Sequence, residues 1–156
     1  MPDTVREDIF ANIKTSLQAI TTGNGFDNTI TTVKRYNIND ETLGPYPMVI
    51  INPGTETNQE QGKDFSLTHC QMQVILEVWI NPQASETTPT DKLLNSLLGD
   101  IKKKLKEDIT RGGKAIDTRF AEIEPFEQLT GQSEAGYFIT IVVEYRHLQT
   151  NPKTAL

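Results

Sequence analysis

The alternating segment Ser66–Ile80 places the strongest constraint on how this chain folds. From Cys70 its apolar positions recur at every second residue, and its polar positions lie between them, although Ile75 and Trp79 break that polar set. The apolar set is Cys70, Met72, Val74, Leu76, Val78 and Ile80, and the polar set includes His69, Gln71, Gln73 and Glu77. A period of two with one apolar face predicts a long strand that packs one side on a core and turns the other toward solvent or a partner.

This strand is too long for the domain that contains it. A compact chain of 156 residues has a radius of gyration of roughly 15 Å and hence a diameter near 40 Å. A strand over Ser66–Ile80 spans about 50 Å at ~3.3 Å per residue. The apolar run Met48–Ile51 precedes it, and the polar segment Thr55–Asp64 joins the two. One interpretation is a hairpin whose tip projects from the body, and the other is a flexible loop over a shorter strand.

The remaining patterns complete one α/β (α+β) domain. Apolar residues at three- and four-residue steps predict two helices, and β-branched or alternating segments predict the other strands. The elements fall at Thr4–Ile20 (helix), Asn28–Tyr36, Met48–Ile51 and Ser66–Ile80 (strands), Leu93–Ile109 (helix), then Lys114–Glu124 and Ala135–Leu148 (strands). We therefore expect the order α-β-β-β-α-β-β, with a mixed, mostly antiparallel sheet packed by two helices and a projecting hairpin. Residues 1–148 form the domain, and residues 149–156 are predicted to be a flexible tail.

The charge balance argues against a nucleic-acid reader. Fifteen basic residues oppose twenty-one acidic ones, for a net charge of -6, whereas DNA-binding modules carry a basic face that neutralises phosphates. The basic cluster at 102–106 is spread around three sides of its helix and forms no continuous stripe. An acidic surface suits a conduit past which DNA moves better than a protein that binds DNA specifically.

Cellular location is constrained by the cysteine count and by hydropathy. The chain contains one cysteine, so an internal disulfide is excluded, which favours a reducing compartment or indifference to redox state. The N-terminal residues show no signal-peptide pattern, and no run reaches the roughly 18 apolar residues of a membrane helix. We expect a soluble protein made in a cytoplasm.

The sequence offers no constellation typical of catalysis or metal binding. His69, His147 and Cys70 are too few and too scattered for a structural zinc site, which needs four ligands. Cys70 alternates onto the apolar face, which predicts a buried thiol with a raised pKa. Glu122 and Glu124 share a strand face, as a general acid/base pair could, but a solvated face explains them as well. We expect no enzymatic activity, no metal and no cofactor.

Several segments together resemble a known family. They are Arg6–Lys14, Pro47–Ile51, the long alternating strand, the leucine-rich second helix and Ile141–Arg146. In order and local character they are similar to the tail terminator (tail completion) proteins of tailed bacteriophages. The resemblance implies a small α/β fold that forms a hexameric ring on the head-proximal end of the tail tube in the virion. Its partners would be the tail tube protein and a neck or head-completion protein, with DNA passing through unbound, no membrane and no catalysis.

Under this interpretation, the polar side of the hairpin contacts a neighbouring subunit or the tube. The expected interface residues are Thr55, Glu56, Asn58, Gln59, Gln61, Lys63, Asp64, His69, Gln71, Gln73 and Trp79. Three alternatives remain open at this point. They are another phage neck or head-completion connector subunit, a small cytosolic enzyme, and a non-enzymatic binding module that pairs its exposed strand with a peptide.

Overall fold

The computed structural model describes residues 2–61, 66–82, 88–127 and 133–156. In these ranges the chain forms a single sheet with helices on one side. The elements are α1 Val5–Gln18, β1 Thr32–Arg35, β2 Met48–Gln61, β3 Leu67–Ile80, α2 Thr90–Lys106, β4 Asp117–Pro125, β5 Ala135–Leu148 and β6 Asn151–Ala155. Within these ranges the strands form one six-stranded sheet in the order β1-β2-β3-β5-β4, and β6 pairs with β5. The predicted α+β class and the order of helices and strands are confirmed.

Strands β3 and β5 form the centre of the sheet. They pair antiparallel over their full length, from Leu67 opposite Leu148 to Ile80 opposite Ala135. Strand β2 pairs antiparallel with β3 and β4 with β5, whereas β1 lies parallel to β2. The sheet is therefore mixed and mostly antiparallel, as the sequence predicts.

Both helices pack on the face that carries the apolar alternation of β3, here called the inner face. Helix α1 begins at Thr4, whose hydroxyl accepts a hydrogen bond from the Glu7 N–H at 3.1 Å and so satisfies one of the free amides of the first turn. The core consists of the apolar stripes of both helices and the inner-face side chains of the strands, among them Ile9, Ile13, Leu17, Leu97, Ile101, Met72, Val74, Leu76, Ile139 and Ile141. In the described residues, no helix covers the opposite face, here called the outer face.

The hairpin pairing is confirmed, and the loop interpretation is wrong. The polar segment after Ile51 continues as part of β2 and pairs with β3 as far as Gln61 opposite Leu67. Pro53 and Gly54 make a bulge within the strand, where the register shifts between Pro53 and Glu56. The tip of the hairpin lies outside the described residues.

The last residues are not the flexible tail that the sequence predicts. The chain turns back after Leu148, and β6 pairs with β5 through Asn151 opposite Leu148 and Ala155 opposite His147. The Gln149 N–H also donates to the Ser66 carbonyl at 2.7 Å. Backbone pairing and contact of Ala155 with the core hold this segment, although its polar composition gives no sign of either.

The first strand is shorter than predicted because the residues before it are bound to α2. Asp100 is buried at 6% exposure, and its carboxylate accepts from the Asn28 N–H and from Asn28 Nδ2, both at 2.8 Å. A buried carboxylate needs such donors to offset its lost hydration. This contact replaces strand pairing at Asn28 and fixes the loop against the helix.

We predict that Gly136→Ala destabilises the fold, whereas Gly99→Ala does not. A Cβ at Gly136 would overlap the Val78 carbonyl oxygen and the Phe126 ring, so the strands must shift, at a cost of about 1–3 kcal/mol or more. A Cβ at Gly99, inside α2, meets nothing within 4 Å, and alanine there should add about 0.5–1 kcal/mol. Urea denaturation of both variants measures the two free energies of unfolding. Equal stabilities would contradict the described β3–β5 packing.

Candidate interaction surface

The outer face brings polar side chains of three strands into register at one end. Gln59 lies opposite His69, and His69 lies opposite Arg146. In the next row on β3 and β5, Gln71 lies opposite Glu144. Directly opposite residues share a face, so the predicted interface residues Gln59, His69 and Gln71 do lie together. Gln73 follows on the same strand and is exposed.

A charged network spans this polar end. His69 Nε2 lies 2.6 Å from Glu144 Oε1, and Arg119 on β4 reaches Glu144 Oε2 at 3.7 Å. All three side chains are partly exposed, so the network contributes about 0–1 kcal/mol per pair. Its main effect is to fix the orientation of the side chains across β3, β5 and β4.

Aromatic side chains occupy the other end of the outer face. The Trp79 ring lies 4.5 Å from Phe126, and Phe126 lies 4.6 Å from Phe138, measured between centroids. Phe138 remains 37% exposed. Trp79, predicted as an interface residue, is instead half-buried in this cluster, and its Nε1 is buried without a hydrogen-bond partner.

The outer part of β2 has an open edge. β1 ends at Arg35, opposite Ile51, so no described strand borders β2 from Asn52 to Gln61. The predicted interface residues Thr55, Asn58, Gln59 and Gln61 are all exposed along this stretch. Lys63 and Asp64 lie outside the described residues. Exposed backbone on such an edge can pair with a further strand.

Glu56 does not lie with the other predicted interface residues. It pairs with Met72 on the inner face, where its Oε1 accepts from Arg6 at 2.8 Å and from the Tyr145 hydroxyl at 2.6 Å. One carboxylate thus joins α1, β2 and β5. The bulge adds one residue to β2 and so reverses which of its residues face inward.

Burial around this carboxylate raises the pKa values of two of its neighbours. Burial, with smaller contributions from Glu56, raises the pKa of Tyr145 above its ordinary value. Burial also raises the pKa of the Cys70 thiol. The prediction of a buried Cys70 thiol with a raised pKa is confirmed, and such a thiol is a poor nucleophile.

A cleft lies beside the open edge, where β1 ends. The Phe10 ring forms part of it, with the Arg6 guanidinium 5.5 Å and the Arg35 guanidinium 5.0 Å from the ring centroid. Both nitrogens of the Arg35 fork donate to Glu7 at 3.0 Å, and this bond lowers the pKa of Glu7. The cleft has a volume of about 210 Å³, and its lining is completed by Thr4, Tyr36, Ile51 and Pro53. The cleft could receive one planar or anionic side chain from a strand added to β2.

Sequence patterns missed the cleft and the Glu56 contacts because their members are distant in the chain. One sequence signal indicated the charged network. Glu144 and Arg146 alternate with the apolar residues of β5, which places both on the outer face. Among the described residues, no group of three or more histidine, cysteine, aspartate or glutamate side chains is placed to hold a metal ion. No helix in the described ranges has the length and apolarity needed to span a bilayer.

Comparisons with known proteins give no family assignment. No protein-family model matches the chain, and no curated protein matches it significantly.

We predict that Tyr145→Phe reduces the loss of stability at alkaline pH. Tyr145 keeps its proton in the fold above its ordinary pKa of 10.0, whereas the unfolded chain releases it. The stabilisation that Tyr145 contributes is thus fully present below pH 10. Above pH 10 the free energy of unfolding falls by about 1.4 kcal/mol per pH unit for one such group. Urea denaturation from pH 8 to 11 measures the slope.

The matched control for this experiment is Tyr36→Phe. Tyr36 is 58% exposed, so its removal should leave the alkaline slope of the parent protein. Cys70 adds a loss in the same direction from its ordinary value of 9.0; because the Tyr145 hydroxyl lowers the Cys70 pKa, this part is retained in Tyr36→Phe and is not reduced in Tyr145→Phe. Identical slopes for Tyr145→Phe and the parent would contradict the assignment.

Proposed function

We propose that this chain is a structural virion protein, a phage tail terminator whose copies form a ring on the head-proximal end of the tail tube. The observation that carries the proposal is the open edge of β2 from Asn52 to Gln61. A ring needs a surface that each copy offers to its neighbour or to the tube, and a strand edge with unpaired backbone groups provides one. The family resemblance of the sequence supports the same function.

β4 and the outer part of β2, at opposite edges of the sheet, differ in how they are protected against the addition of a strand. β4 is protected by a bulge between Phe120 and Glu122, by Pro125, and by Lys106, which donates to the Thr118 carbonyl at 2.6 Å. Bulges, prolines and lysines are the usual devices against strand addition. β2 also has a bulge and Pro53, but its described residues beyond them, 57–61, include no proline or lysine and one acidic residue, Glu60. This contrast favours β2 as the edge that accepts a partner.

The composition of the β2 edge suits a contact between proteins that are also stable alone. Thr57, Asn58, Gln59 and Gln61 carry neutral polar groups, which can stay hydrated in the free subunit and form hydrogen bonds in an assembly. The net charge of -6 repels the phosphate backbone, so DNA would pass without specific binding. In this proposal the tail tube protein and a neck or head-completion protein are the partners, and the subunit has no catalytic role.

A second function is favoured by the cleft at Phe10. A binding module that adds a peptide strand to β2 would use backbone hydrogen bonds for affinity and the cleft for specificity. Such a module would stay monomeric and bind an extended peptide. Oligomeric state therefore separates the two functions.

We expect light scattering after size exclusion to give a mass near six 17.5 kDa subunits, and negative-stain images to show rings. Asn58→Lys/Gln59→Lys should shift the protein toward monomers and block its addition to purified tail tubes, because two charges on the edge oppose strand pairing. Circular dichroism checks that the variant is folded.

The matched control is Ala11→Lys/Gln18→Lys, which adds the same charge to exposed positions of α1 and should assemble normally. A parent protein that is monomeric and does not add to tubes would refute the terminator function. A ring that binds a purified neck complex but not the tube would indicate another neck or connector subunit.

A further inference from the structure

Helix α2 is an electropositive element in an acidic chain. Thr90–Lys106 contains five lysines and two aspartates, a net charge of +3, whereas the whole chain carries -6. One of the two aspartates, Asp100, is buried and bonded to Asn28. Because Asp100 does not face solvent, the solvent-facing side of α2 carries a higher net positive charge than the helix as a whole.

Four of these lysines have no acidic partner among the described residues, and two of the four lie over aromatic rings. Lys102 lies over the Phe120 ring at 5.9 Å, and Lys103 lies over the Phe26 ring at 4.9 Å. Both are exposed. By contrast, Lys104 pairs with Glu107 at 3.0 Å. Lys102 and Lys103 are here called the lysine surface; as successive residues of a helix they point about 100° apart, each along the aromatic ring beside it.

The outer face of the sheet carries the complementary charge around an exposed aromatic ring. Phe138 lies between Glu77 on β3 and Glu124 on β4 in one cross-strand row, and Glu122 lies opposite Thr140 in the next. None of the three glutamates has an ion pair within the described part of the chain. Phe138 with these glutamates is here called the Phe138 surface.

The sheet keeps the two surfaces apart within one copy. Phe120, which Lys102 contacts, lies opposite Ile141 on the inner side of β4, whereas Glu122 and Glu124 project from the outer side. Side chains on opposite faces of a sheet cannot meet. Each copy therefore presents one positive and one negative surface that do not contact each other.

We propose that the lysine surface of one copy docks on the Phe138 surface of the next. Because the two surfaces differ, the contact is head-to-tail, and repeated head-to-tail contacts close into a ring when the rotation allows it. An aromatic anchor surrounded by charges fits a contact whose centre is dry and whose rim is wet. The inference rests on the proposed ring function and identifies a contact additional to the β2 edge.

Paired charge reversals test the contact directly. Lys102→Glu/Lys103→Glu makes both surfaces negative, and Glu122→Lys/Glu124→Lys makes both positive. Each variant alone should need a concentration about tenfold or more above that of the parent for half-assembly, as expected for a lost coupling of about 1.4 kcal/mol. An equal mixture should recover assembly, because every contact then joins opposite charges.

The measurement is light scattering on each variant and on the mixture, free and with purified tail tubes. A zero-length carbodiimide cross-link between positions 102–103 and 122–124 of different copies, mapped by mass spectrometry, identifies the contact in the parent. The control Asp3→Lys/Glu41→Lys changes two exposed acidic residues and should assemble as the parent does. Circular dichroism confirms folding of every variant.

The outcomes separate the contact from the ring. Rings that persist in both variants, or a mixture that fails to recover, overturn the contact and leave the ring function standing. A parent that stops at two subunits places the two surfaces across a two-fold axis and also overturns the head-to-tail contact. A parent that neither assembles nor adds to tubes overturns the ring function itself.

Discussion

The antiparallel pairing of β3 with β5 is the interaction on which the rest of the structure depends. Fourteen residues of each strand are in continuous register, and strands β2, β4 and β6 each pair with one of the two. β2 extends it on one side, β4 and β6 extend it on the other, and both helices pack on its inner face. A change that alters this register by one residue would exchange the inner and outer faces of a strand. The core, the charged network at Glu144 and the aromatic cluster at Phe138 would all be lost together.

The outer face follows from the same pairing, because it is the side left over once the helices take the other. Its two ends have different chemistry. One end is a hydrated network of His69, Glu144 and Arg119, and the other holds aromatic rings beside glutamates. The open edge of β2 lies at the polar end, and the Phe138 surface lies at the aromatic end. A subunit with this layout can use the two ends for different neighbours.

Much of the fold could be predicted because its signals are local. Alternation fixed the bounds of β5 to the residue and those of β3 within one, and the helical stripes located α1 and α2. The features that sequence missed depend on distant partners. The bulge at Pro53–Gly54 cannot be located until β3 is placed beside it, and it decides that Glu56 faces inward. Asn28 reads as part of a strand until Asp100 is seen to bind it. β6 is a polar segment held by backbone pairing, which leaves no side-chain pattern.

The Glu56 contacts also affect how strongly the edge of β2 could bind. A free edge strand normally loses conformational entropy when a partner immobilises it, and this loss weakens association. Here Arg6 and Tyr145 hold Glu56 to α1 and β5 before any partner arrives, so the segment next to it is already ordered. Preorganisation of this kind lowers the entropic cost of association without adding a contact to the interface. A side chain that faces the core can thus strengthen binding along the edge to which its own backbone belongs.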